Sequence, residues 1–206
     1  MIVGFENYKN NYDFKVKGVI HVGAHIGQEY NEYIETFGKI KTYWFEPIPK
    51  IYNELLENLK GNEDVFCYNV ALGENNGLSK IYLDDGNYHQ SSSLLKPKEH
   101  QNIYPHIKFS EENSINILVQ TLDYYNISDC NMLVLDTQGF ELNVLKGSVT
   151  TLNNIDYIFT EFSLIELYEG CPSLQDLDNF LNPYGFVRKE TWNVDNSWGD
   201  AFYSKI

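Results

Sequence analysis

Apolar residues fall in short blocks separated by glycine-bearing or polar links. Residues 18–22 (GVIHV) form a run that ends in Gly23-Ala24-His25-Ile26-Gly27, and over 28–37 Tyr30, Tyr33, Ile34 and Phe37 recur at helical spacing. This pattern predicts a buried strand, a glycine turn and a helix, which Gly38 closes. The pattern then repeats. A strand over 40–45 ends at Glu46-Pro47, a helix carries Ile51, Leu55, Leu56 and Leu59 on one face before Gly61, and residues 64–71 (DVFCYNVA) make a third strand. A β-α-β-α-β succession with short links predicts an α/β fold, a parallel sheet covered by helices.

A short strand is expected over 79–83. The polar stretch 84–113 has no periodicity and is read as a long lid-like insertion, since a loop of that length in a compact domain is usually functional. It contains His89, Ser91, Ser92, Ser93 and His100. Periodic structure resumes over 115–122. An apolar strand follows over 132–135 and ends in Asp136-Thr137-Gln138-Gly139, and a helix carries Leu142, Val144 and Leu145 up to Gly147. A strand over 156–162, a helix over 173–181 and strands over 185–189 and 200–204 complete the chain. No internal repeat is present, and residues 1–206 are expected to form a single domain, long enough to bury roughly 70% of the unfolded surface.

The net charge of −14 opposes attraction to a phosphate backbone or an anionic membrane surface, so nucleic acid is not expected as a partner. Cys67, Cys130 and Cys171 are odd in number and widely spaced, which indicates neither a disulfide framework nor a zinc cluster. No signal-peptide pattern and no apolar run near the roughly 20 residues of a membrane helix is seen. The expectation is a soluble, cytoplasmic protein; the oligomeric state is not legible.

In open α/β sheets, ligands bind at the carboxyl ends of the strands, near the point where strand order reverses. Gly23–Gly27, Glu46, Asn69, Asp136 and Glu161 all stand at such ends. Gly23 and Gly27 would let the backbone pass close to a ligand at a helix N-terminus, and Glu46 can accept hydrogen bonds from ribose hydroxyls. That geometry serves either a nicotinamide dinucleotide or an adenosyl sulfonium. The turn lacks the central glycine of G-x-G-x-x-G, and Glu46-Pro47 followed by Asn69-Val70-Ala71-Leu72 suits the smaller nucleoside. The methyl donor is therefore preferred, with a nicotinamide-dependent oxidoreductase and a non-catalytic binding module that kept the fold as alternatives.

The stretches VIHVGAHIGQE (19–29), YWFEPIP (43–49), NVALGENNG (69–77), SSSLL (91–95), TLD (121–123), LDTQGFELNVLKG (135–147), YIFTEF (157–162) and WGDAFY (198–203) together resemble the FkbM-type family of S-adenosylmethionine-dependent methyltransferases. The resemblance implies a Rossmann-like class I methyltransferase fold, with a mostly parallel seven-stranded sheet whose last strand is antiparallel and helices on both faces. It further implies methylation of a hydroxyl, most often on a sugar of a glycan or small glycosylated acceptor. On that similarity His21, Gly23, Ala24, Gly27, Glu46, Pro47, Asn69, Val70, Ala71, Asp136 and Gln138 would line the S-adenosylmethionine, capped by Ser92 or Ser93. His21 departs from the acid that many relatives carry at its position.

A hydroxyl acceptor needs a group to take its proton. Asp136, Glu161, His89 and His100 are the candidates. Asp136 and Glu161, ending adjacent predicted strands, could also hold a divalent ion such as magnesium.

Overall fold

The computed structural model describes residues 12–206. Among the described residues, ten strands and five α-helices follow one another as β1 (Gly18–Val22), α1 (Tyr30–Phe37), β2 (Lys41–Phe45), α2 (Pro49–Asn58), β3 (Val65–Tyr68), β4 (Ala71–Leu72), β5 (Gly77–Asp85), α3 (His100–Ile103), β6 (Lys108–Gln120), β7 (Met132–Leu135), α4 (Glu141–Lys146), β8 (Tyr157–Ser163), α5 (Leu174–Leu181), β9 (Phe186–Asn193) and β10 (Trp198–Lys205).

The main sheet has the order β3-β2-β1-β7-β8-β10-β9. From β3 to β8 all neighbours are parallel, and β10 runs antiparallel between β8 and β9. The expected seven-stranded sheet with an antiparallel last strand is thus present. Its strand order reverses between β1 and β7, so the crevice lies at their carboxyl ends.

Both faces of the sheet are buried because alternate residues point to opposite sides. Ile20 and Val22 of β1 join Leu133, Leu135 and Ile158 beneath α4 and α5, through Val144, Leu145, Leu177 and Leu181. Val19 of the same strand joins Met132, Val134, Phe159 and Phe202 beneath Tyr33 of α1 and Leu55 of α2. The start of α5 is fixed by a capping box, in which the Ser173 side chain accepts from the Asp176 N–H and the Asp176 carboxylate accepts from the Ser173 N–H.

A second sheet, of order β4-β6-β5, stands beside the first over its own cluster of Ile48, Ile51, Ala71, Ile81, Leu83, Ile117 and Val119. It corrects the reading of 84–113 as one unstructured insertion. Strand β5 extends to Asp85 and β6 begins at Lys108, leaving a shorter connection in which Tyr82 bridges Ser93. Tyr82 pairs with Ser114 but Asp84 pairs with Phe109, so a large bulge splits β6. That bulge, together with the polar KFSEENS lead, erased the alternation by which the strand would have been read.

Among the described residues no helix is long and apolar enough to cross a membrane, and Cys67, Cys130 and Cys171 are free thiols.

Candidate active site

A cleft of about 910 Å³, including its open mouth, lies at the carboxyl ends of β1, β2 and β7, walled on its other side by β5 and the connection that follows it. Its floor begins with Gly23, whose φ of +81° continues the chain where a side chain could not fit: an added Cβ would stand 1.8 Å from the Asp136 carbonyl oxygen. The N–H groups of Gly23 and Ala24 both donate to the Phe45 carbonyl at 3.0 Å. The turn is therefore stitched to the end of β2.

Glu46 follows immediately. It is 4% exposed, and its two carboxylate oxygens accept from the backbone N–H groups of Ile48 at 2.8 Å and His25 at 2.9 Å. Burial nevertheless pushes its carboxyl up to about 8, because two neutral donors do not replace full hydration of a charge. Pro47, Val70 and Ala71 line the cleft. Asn69 does not. Its amide donates to the carbonyls of Glu46 at 2.9 Å and Pro47 at 3.0 Å, so it fixes the strand-end loop from outside.

The segment 135–147 divides its residues between site and scaffold. Asp136, Thr137, Gln138 and Phe140 reach the cleft. Gln138 sits at φ +54°, and its Nε2 donates to Asp136 at 2.9 Å and to Glu161 at 2.7 Å. Buried Glu141 holds the turn by accepting from the Thr137 N–H and hydroxyl and the Gly139 N–H. Gly147 is packed so tightly on Gly73 that a Cβ would stand 2.0 Å from the Gly73 carbonyl oxygen.

Glu161 lies behind Asp136 rather than on the cleft wall. Burial raises its carboxyl well above the carboxylate range, and the charge of Asp136 and their mutual hydrogen bond raise it further. Glu161 therefore keeps its proton beside an ionised Asp136. A divalent ion does not fit this pair, since both carboxylates are engaged with Gln138 and with each other. Among the described residues no group of three or more His, Cys, Asp or Glu side chains is arranged to hold a metal.

The connection after β5 is organised by Asp84, which is 1% exposed. Its Oδ1 accepts from the N–H groups of Asn87 and His89, and its Oδ2 from the Ser91 N–H and the Ser92 hydroxyl. Four donors from residues 87 to 92 are thereby tied to one carboxylate, and His89, Gln90 and Ser92 face the cleft. His89 Nδ1 is buried without a hydrogen-bond partner among the described residues. Ser93 turns away, its hydroxyl donating to the Gln138 carbonyl at 2.7 Å.

Three further expectations are corrected. His21 is buried outside the cleft, stacked on Trp44 at 4.9 Å with its Nδ1 2.8 Å from the Tyr33 hydroxyl. Gly27 serves packing: a Cβ there would meet Leu55 at 2.8 Å. His100 lies behind the connection among Tyr104, Phe109 and Tyr168, and burial holds its imidazole below the ordinary value. The sequence reading missed Gln28, Glu29, Gln90, Leu94 and Phe140, which do line the cleft. Gln28 and Glu29 follow the glycine turn directly, and that adjacency was the available signal.

A family model described as the methyltransferase FkbM domain matches residues 21–188. The 2-O-methyltransferase NoeI of Sinorhizobium fredii (strain NBRC 101917 / NGR234) is 25% identical over 178 residues, covering 82% of this chain and 72% of its own. The crystal structure of methyltransferase FkbM from Methylobacillus flagellatus KT superposes with a TM-score of 0.60 at 15% identity, over 91% of this chain. This chain spans only 43% of that one. A SAM-dependent methyltransferase from Aquifex aeolicus gives a TM-score of 0.52 at 11% identity over 100% of this chain and 90% of its own.

Proposed function

The chain belongs to the FkbM methyltransferase family, whose model covers residues 21–188, and from that premise we propose that it transfers a methyl group from S-adenosylmethionine to a hydroxyl of a sugar-bearing acceptor. The observation that carries the choice of donor is the charge of the cleft. The acids Glu29 and Asp136 line it and, among the described residues, no Lys or Arg does, which suits a sulfonium and opposes the pyrophosphate of a nicotinamide dinucleotide. The residues fit such a ligand in shape as well. Ile48, Leu72, Ile81 and Leu94 offer an apolar slot for the base, Glu46 stands where ribose hydroxyls can donate, and Gly23 and Ala24 keep the floor low.

Bound there, S-adenosylmethionine supplies a methyl group activated for in-line displacement. The protein contributes alignment, exclusion of water by the connection that Asp84 ties down, and a proton acceptor. His89 is assigned as that acceptor, because its imidazole lines the cleft on the segment that Asp84 holds in place. Asp136 fixes negative charge in the same wall, while Glu161 and His100 support the scaffold. The sugar hydroxyl rests on the printed activity of the NoeI relative, a 2-O-methyltransferase. Residues 1–206 are taken as one catalytic domain.

Incubation with methyl-labelled S-adenosylmethionine and a panel of free sugars, oligosaccharides and amine acceptors tests the acceptor class. Label in an ether-linked methyl sugar supports it; label confined to amines overturns it.

A further inference from the structure

The segment after β5 is held at two places. At its base Asp84 gathers the donors of residues 87–92, and at its tip Tyr88 reaches across the mouth of the cleft to the opposite wall. The Tyr88 carbonyl lies 2.8 Å from Nε2 of His25, and the two rings meet edge to face with centroids 5.6 Å apart. Beyond His25, the Tyr88 hydroxyl donates to the Glu54 carboxylate of α2, and the Lys50 ammonium stands 5.5 Å from the centroid of the Tyr88 ring. His25 lines the cleft from the glycine turn and His89 from the far side, so the contacts of Tyr88 join the two walls over the opening.

The two attachments differ in kind. Asp84 is buried and takes four hydrogen bonds, whereas Tyr88 is 49% exposed and its polar contacts to α2 are reached by water, which keeps each of them weak. The tip is also strained. Tyr88 and His89 stand at φ of +53° and +66°, a backbone conformation that costs a bulky residue free energy and persists only where its surroundings impose it. A firm base, a strained tip and a breakable anchor are the parts of a gate. We infer that Tyr88 latches this strap over the cleft, and that release of the latch sets how fast the adenosyl donor enters and its demethylated product leaves. The assignment rests on the proposed donor and adds to it the step that controls exchange.

The test measures rates on the full chain. Tritiated S-adenosylhomocysteine is bound and chased with excess unlabelled compound, association is followed by rapid mixing, and calorimetry gives Kd. Tyr88→Ala is expected to raise the association and dissociation rate constants together by about tenfold, with Kd within about threefold of the wild type, because a latch raises the barrier without touching the ligand. Tyr88→Phe and Glu54→Ala should each give a smaller acceleration, and the double variant no more than the larger of the two, since both remove one hydrogen bond. Dissociation as slow in Tyr88→Ala as in the wild type overturns the latch. A weaker Kd with an unchanged association rate also overturns it, since Tyr88 would then be a contact to the ligand. Failure of the wild type to bind S-adenosylhomocysteine overturns the adenosyl donor itself and the gate with it.

Discussion

The backbone N–H of His25 donates to Oε2 of Glu46 at 2.9 Å, so the turn after β1 and the carboxylate after β2 are one rigid unit across the point where the strand order reverses. The arrangement pre-forms the acceptor face of Glu46, and its cost is a buried carboxyl raised to about 8 by desolvation. The folded chain thus retains a proton that the unfolded chain releases near the ordinary value of 4.5. The stability from this group is fully present below about pH 4.5 and is lost as pH rises through about 8. The slope has a ceiling of about 1.4 kcal/mol per pH unit for one group. Urea denaturation of wild type and Glu46→Gln between pH 5 and 8.5 should show the wild type losing stability relative to the variant as pH rises. Parallel profiles would contradict it.

Gly23 and Gly38 both have φ of +81°, but their surroundings differ. Gly38→Ala meets no atom within 4 Å and should cost about 1 kcal/mol of backbone strain. Gly23→Ala drives a methyl into the Asp136 carbonyl and should cost more than about 3 kcal/mol or prevent folding. Thermal unfolding of the two variants checks the contrast.

Asp84 gathers four donors from the 87–92 segment. Asp84→Asn replaces one acceptor oxygen by a donor, so it should destabilise the chain by about 1–3 kcal/mol. Amide exchange at Ser91 should accelerate while the core strand Met132–Leu135 stays protected. Because His89 rides on this segment, methyl transfer should slow more than donor binding weakens.

His89 is assigned as the proton acceptor, and His89→Ala should lower the rate of transfer by about 10²- to 10⁴-fold with donor affinity within a few-fold of wild type. His100→Phe, by contrast, should leave transfer largely intact. Burial lowers the His100 imidazole, so the stability it permits is lost as pH falls through the ordinary histidine range near 6.5 and below. A phenylalanine there should remove that component of acid sensitivity, measurable as a smaller drop in Tm between pH 7 and 5.

Strand ends were legible because short apolar runs terminate at glycine or acid, and those ends fix where the crevice lies. What the pattern could not give was the face on which each side chain projects. Alternation along β1 sends Val22 toward the cleft and His21 to the opposite side against Trp44. Asn69 and Ser93 stand at the right places in the chain but spend their hydrogen bonds on carbonyls of Glu46, Pro47 and Gln138. Glu141 was equally hidden, since only the folded turn shows its carboxylate holding Thr137 and Gly139. Of the small sheet, the strands over 79–83 and 115–122 were legible, but the start of β6 was not, because the register shift opposite Tyr82 and Asp84 breaks its alternation.

Calorimetric titration of S-adenosylmethionine into the wild type and Glu46→Ala, with NADH as a parallel ligand, tests the assignment of the cleft most directly. Micromolar binding of S-adenosylmethionine by the wild type, weakened at least about tenfold in Glu46→Ala, with no heat from NADH, is the result expected. Binding of NADH in its place, or S-adenosylmethionine affinity that the Glu46→Ala substitution leaves unchanged, would contradict it.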